Sequence, residues 1–207
     1  LDYSTILARS LLQIGAVKID LSYPFRWTSG IVAPIYTDNR LIWSSVPLRT
    51  LVVEALADAV ERFAPFDIVV GVATAGIPPG VLLAQRLNKP FLYVRSKAKT
   101  HGTKSHLEGK ADPRSKALIV EDLISTGGSV RTAYEILRAA EIVPMGILSI
   151  FHYLLEEGKN TLNSLQIPFF SLTNMDILLR EAEKLSYLSA AEREEISHWL
   201  YSPKNRQ

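Results

Sequence analysis

The chain has 207 residues, 47% of them hydrophobic, with a net charge of +2 and no cysteine. That length allows one sizeable core and is too short for two full catalytic domains. The small net charge gives no argument for a nucleic-acid partner, and the missing cysteine excludes disulfides, thiolate metal sites and a cysteine nucleophile. Leu1 to Val17 is amphipathic and carries Asp2 and Arg9, unlike a secretory signal. No apolar run approaches the roughly 18 residues of a membrane span. The expectation is a globular cytoplasmic protein that binds neither membrane nor nucleic acid.

Residues 4–16 place Ile6, Leu7, Leu11 and Ile14 on one helical face. Residues 23–40, with Gly30, Pro34 and many aromatic or β-branched side chains, read as a strand pair. Residues 45–63 form a strong helix with Pro47 near its start. The run FDIVVGVA, 66–73, suits a buried parallel strand. Helix 76–88, strand 90–94, strand 116–120, helix 129–141 and strand 144–153 follow. Beyond Pro168 the pattern changes, and Asn174 and Ser189 read as N-caps of two helices, Ser189 forming a capping box with Glu192. This alternation predicts an α/β fold, a mostly parallel open sheet with helices on both faces. The expected organisation is a single domain: a helix and hood over about 1–45, a core over about 46–170, and closing helices over 171–207.

Ligands of open parallel sheets bind at the carboxyl ends of the strands. One such end reads IVEDLISTGGSV, residues 119–130. The predicted loop there runs from Ile124 to Ser129, with the helix N-terminus beyond it. Gly127 and Gly128 let the backbone N–H groups converge, and the helix adds its positive end. Ser125, Thr126 and Ser129 add hydroxyls, making a phosphate cup that is neither GxxxxGK[ST] nor GxGxxG. The acids Glu121 and Asp122 would repel that phosphate but would accept hydrogen bonds from the vicinal hydroxyls of a ribose. The pair and the cup together read as a grip for a ribose 5-phosphate. The alternative is an acid pair that solvates a strand end and caps a turn.

Residues 95–114 form a polar loop between two strands, carrying Arg95, Lys97, Lys99, Lys104, Lys110, Arg114, His101 and His106. So long a loop in a compact fold is commonly a lid. Its charge suits a polyanion such as pyrophosphate; the alternative is a solvated basic loop. His152, His198, Trp43 and Trp199 read as structural, and Trp27 suits either the core or a pocket wall.

IVEDLISTGGS resembles the phosphoribosyl-pyrophosphate (PRPP) signature of type I phosphoribosyltransferases. Arg95, Lys99, His101 and Gly102 match, at the same spacing, the lid of the orotate group of that family. FRWTSGIVAPIYTDNR resembles the group's hood, and GVATAGIP its pyrophosphate loop, so the likeness runs from about Phe25 to His152. The chain departs from the group at Thr28, where many members have Lys, and at Thr74 and Ala75, where many have Tyr-Lys. It departs again at Thr100, where the lid often has Asp, and near Tyr153, where others use an Arg to grip the substrate. The resemblance implies transfer of phosphoribosyl from PRPP to orotate, with Mg²⁺ held mainly by PRPP and no dedicated protein metal site. It further implies a homodimer whose lid residues serve the neighbouring site. Lys99, His101, Glu121 and Asp122 would be catalytic. Arg95, Lys99, His101 and the run Glu121, Asp122, Leu123, Ile124, Ser125, Thr126, Gly127, Gly128 and Ser129 would bind PRPP. Ser125 and Arg40 would reach the orotate, with a surface ion pair as the alternative for Arg40. Two other readings stay open: a purine phosphoribosyltransferase, and a PRPP-sensing regulator without catalysis.

Overall fold

The computed structural model describes residues 2–27, 30–95 and 106–201. The first helix, α1 (Tyr3–Gln13), is capped by Asp2, whose carboxylate accepts from the Thr5 N–H. Four short strands follow, β1 (Val17–Ile19), β2 (Phe25–Arg26), β3 (Val32–Ala33) and β4 (Ile35–Thr37). They pair antiparallel as β1 with β4 and β2 with β3, so the expected strand pair is two small ribbons. A 3₁₀ turn over Asn39–Ser44 leads into α2 (Val46–Ala59), with Ser45 as N-cap and Pro47 in the first turn.

The core alternates β5 (Ile68–Val72), α3 (Ile77–Arg86), β6 (Phe91–Val94), β7 (Leu107–Glu108), β8 (Lys116–Ile124), α4 (Gly128–Ala139), β9 (Val143–His152), α5 (Glu156–Ser164), β10 (Phe169–Asn174), α6 (Met175–Lys184) and α7 (Ala190–Tyr201). The six-stranded sheet has the order β10-β9-β8-β5-β6-β7, parallel except where β7 turns back on β6. Alternate residues of the central strands feed two apolar layers. Val69, Leu118, Val120, Leu148 and Ile150 pack with α1, α2, α3 and α6 on one face. Val70, Ile119 and Ile147 pack with Val130, Ala133 and Leu137 of α4 and Leu162 of α5 on the other. Covering both faces is what makes these strands continuous apolar runs. Each such side chain contributes about 1.5–3 kcal/mol through its burial.

Three boundaries differ from the sequence expectation. Strand β8 does not stop at Val120 but runs through both acids to Ile124, because β9 continues beside it and pairs Glu121 with Ser149 and Leu123 with Phe151. Residues 171–174 are strand, since β10 adds to the edge of β9 before α6 begins. The loop after β6 holds a short returning strand, β7. Asn174 caps α6 as expected, and Ser189 and Glu192 exchange the hydrogen bonds of a capping box at 2.8 and 3.2 Å. Among the described residues no helix is long and apolar enough to cross a membrane.

Candidate active site

The carboxyl ends of β5 and β8 open into a cleft of about 340 Å³. Its wall combines Trp27 and Tyr36–Arg40 of the N-terminal ribbons, Ala73–Ala75 after β5, Glu121–Leu123, Ser125, Ser129 and Tyr153. The cleft therefore joins three segments that the sequence singled out separately.

Glu121 is buried. Its Oε1 accepts from the Asp122 N–H at 3.0 Å and its Oε2 from the Ser129 hydroxyl at 2.9 Å. Burial pushes the Glu121 carboxyl well above its ordinary range, and the charge of Asp122 adds to that. Asp122 is also raised by burial, but the Glu121 carboxyl, the Leu123 N–H and the Arg40 charge pull the other way. Of the two, Glu121 is the more deeply buried and the more strongly driven toward its neutral form.

The turn after β8 is only Ser125–Gly127, shorter than the expected Ile124–Ser129, because strand and helix each extend inward. Gly127 sits at φ +79°, a left-handed conformation costly for other residues, and its missing Cβ leaves room for Thr161 of α5. Helix α4 starts at Gly128, so its first N–H groups lack partners within the helix, an arrangement that suits an anion. The Ser129 hydroxyl, expected as a donor to phosphate, is instead committed to Glu121. Ile124 turns its side chain into the core, and its carbonyl accepts from the Tyr153 N–H at 2.9 Å. Leu123 lines the cleft.

Arg40 stands at the rim with an exposed side chain and forks onto Asp38, Nε to Oδ1 at 2.6 Å and NH2 to Oδ2 at 2.7 Å. The fork occupies one edge of the guanidinium, and among the described residues NH1 makes no bond. Arg95 roots the basic segment: its N–H and the His106 carbonyl join at 2.8 Å, and its guanidinium pairs with Glu108. Lys97, Lys99, Thr100, His101, Gly102 and Lys104 lie outside the described residues, as does Thr28.

The side chains that sequence reasoning passed over are Tyr36, Thr37, Asp38 and Asn39. The Asn39 side-chain N–H donates to the Asp122 carbonyl at 2.8 Å, and the Thr37 N–H donates to the Tyr153 hydroxyl at 2.9 Å. The only sequence signal was the D-N-R run that carried part of the family likeness. Trp27 fills both roles left open for it: it lines the cleft, and its ring packs 4.3 Å from Tyr153 and edge-on to Trp199. His152 is buried and neutral, since burial lowers its pKa to about 4.

The sheet and cleft are those of a phosphoribosyltransferase. The family model described as phosphoribosyl transferase domain matches residues 49–164, and the chain belongs to that family. Its curated relatives include the orotate phosphoribosyltransferase of Bacillus mycoides, 41% identical over 200 residues that cover 96% of this chain and 95% of that one. Among solved structures, the orotate phosphoribosyltransferase of Aeropyrum pernix superposes with a TM-score of 0.72 at 27% identity, covering 87% of this chain and 99% of its own. The UMP synthase of Leishmania donovani superposes at 0.81 with 25% identity; the match covers 95% of this chain but 42% of that longer one.

Proposed function

We infer that the protein transfers the 5-phosphoribosyl group of PRPP to orotate, forming orotidine 5′-monophosphate and pyrophosphate in pyrimidine nucleotide synthesis. The observation that supports this most directly is the acid pair at the end of β8, one short turn before the N-terminus of α4, inside a cleft roofed by the N-terminal ribbons. In this reading Asp122, steadied by Glu121, accepts from the ribose hydroxyls. The N–H groups of Thr126–Ser129 and the hydroxyls of Ser125 and Thr126 hold the 5-phosphate. Ser125 and the open NH1 edge of Arg40 face the orotate, Arg40 toward its carboxylate.

As the bond from C1 to pyrophosphate breaks, C1 takes on oxocarbenium character, and the charge of Asp122 stabilises it. The orotate N1 closes on C1 and gives up its proton, which passes to the departing pyrophosphate or to water, while the pyrophosphate leaves with the electron pair of the broken C1–O bond. Arg95, Lys99 and His101 hold the departing anion, and closure of their loop excludes water that would hydrolyse the sugar. Three carboxylates line the cleft, of which Glu121 is tied to Ser129 and Asp38 to Arg40. A carboxylate or two beside substrate phosphates is the donor set Mg²⁺ takes. Mg²⁺ would be held mainly by the PRPP oxygens, with Asp122 beside them, since both Glu121 oxygens are committed to Asp122 and Ser129; it would neutralise charge on the pyrophosphate. The chain acts as one catalytic unit in the cytoplasm, paired in a homodimer.

The test is the loss of orotate absorbance with PRPP and Mg²⁺, with adenine, guanine, hypoxanthine and uracil as competing bases. Turnover is expected with orotate far above any purine. Equal turnover of a purine overturns the substrate, and tight PRPP binding without turnover of any base overturns the activity.

A further inference from the structure

Two hydrogen bonds tie the N-terminal ribbons to the central sheet, one on either side of Asp38. The Thr37 N–H donates to the Tyr153 hydroxyl at 2.9 Å, and the Asn39 side chain donates to the Asp122 carbonyl at 2.8 Å. All of Thr37, Asn39 and Tyr153 are buried, at 6%, 1% and 2% exposure, so neither bond is easily replaced by water. Tyr153 is itself fixed. Its N–H donates to Ile124, two residues beyond Asp122, and its ring is held between Trp27 at 4.3 Å and Phe151 at 5.3 Å. Trp27 in turn donates to the Ile35 carbonyl, at 3.0 Å, in the same ribbon that Thr37 ends. Tyr36, Asp38 and Arg40, which line the cleft from the end of this ribbon and the turn that follows, are therefore set in height over the acid strand by Tyr153 at one tie and Asn39 at the other.

We propose that Tyr153 is a positioning residue for the acceptor base: its hydroxyl holds the 36–40 segment over the sugar grip and so sets the base pocket, while the PRPP grip is built independently of it. This rests on the functional reading above and adds to it a residue that acts through the Thr37 backbone. The independence concerns the hydroxyl: the Tyr153 N–H bonds Ile124 ahead of the turn and is kept when the hydroxyl is removed, while the turn and Glu121 are braced by Ser129, Thr161 and Gly158, none of them bonded to that hydroxyl.

The experiment is Tyr153→Phe, which keeps the ring stack and deletes the acceptor for the Thr37 N–H. KM for orotate should rise about tenfold, the effect of one buried donor left unpaired, while PRPP binding measured by calorimetry stays within about twofold of the wild type. Trp27→Phe deletes the donor to the Ile35 carbonyl in the same ribbon without touching Asp122 and should show the same split; it also serves if Tyr153→Phe does not fold. An unchanged KM for orotate in a folded variant overturns the proposal. So does a proportional loss of orotate and PRPP affinity, which marks a general structural role. A wild-type chain that binds PRPP but turns over no orotate overturns the functional reading and this proposal with it.

Discussion

Ser129 donates its hydroxyl to Glu121 Oε2 across 2.9 Å, from the first turn of α4 to the end of β8. That bond locks the inner acid to the start of α4 and leaves Asp122 as the less buried acid of the pair. Asp122→Asn should therefore lower kcat/KM about 10²–10³-fold, the scale for deleting one preorganised electrostatic contact, with the melting temperature nearly unchanged. Steady-state kinetics paired with thermal melts check it. A variant that unfolds while keeping its activity per folded molecule would make the acids structural.

Glu121 also makes stability depend on pH in an unusual direction. Its carboxyl is raised in the fold by burial, so above its ordinary value of 4.5 the unfolded chain releases a proton that the native state retains. The stabilisation is full below that value and is lost as pH rises through the raised native one. Glu121→Gln removes the titration and keeps an acceptor for the Asp122 N–H, while the Ser129 hydroxyl can turn to accept from the new amide. Denaturant unfolding at several values between roughly pH 5 and 8 should show the variant gaining on the wild type as pH rises. Parallel curves would refute the assignment.

Gly158 lies in α5 directly against the Ser125 carbonyl, so an added methyl group would meet the phosphate turn. Gly158→Ala should destabilise the protein by about 1–3 kcal/mol through overpacking and raise KM for PRPP. Helix propensity alone favours the alanine by about 1 kcal/mol, so a gain in stability would show that the contact is unimportant.

The proposed sharing of the lid across a dimer has a complementation test. Lys99→Ala and Asp122→Asn should each leave a nearly inactive homodimer. If the lid serves the neighbour, a mixed dimer has one doubly defective site and one intact site, and subunit exchange should restore up to about half of normal activity per mixed dimer. If activity does not return, with exchange verified separately, the lid serves its own chain.

The sequence by itself determined the features that local chemistry writes. Continuous apolar runs marked β5 and β9. The Ser189–Glu192 spacing marked a helix start, and the acid pair before Ser-Thr-Gly-Gly marked a segment that lines the cleft. It did not reveal α5, whose EEGKNTLNS holds a Gly and two Asn and so has weak helix propensity; that helix forms because Leu162 is buried against the core. Nor did it reveal β10, six residues that extend because the edge of β9 offers partners. Only the tertiary structure decided which acid is the more deeply buried, that the Ser129 hydroxyl serves Glu121, that Thr37 meets Tyr153, and that Gly158 backs Ser125. Apart from Ser129 and Glu121, these partners are brought together by the packing of elements distant in sequence, where no local periodicity records the meeting. Even for Ser129 and Glu121 the contact depends on how far β8 runs before it turns, and that is fixed by the neighbouring strand.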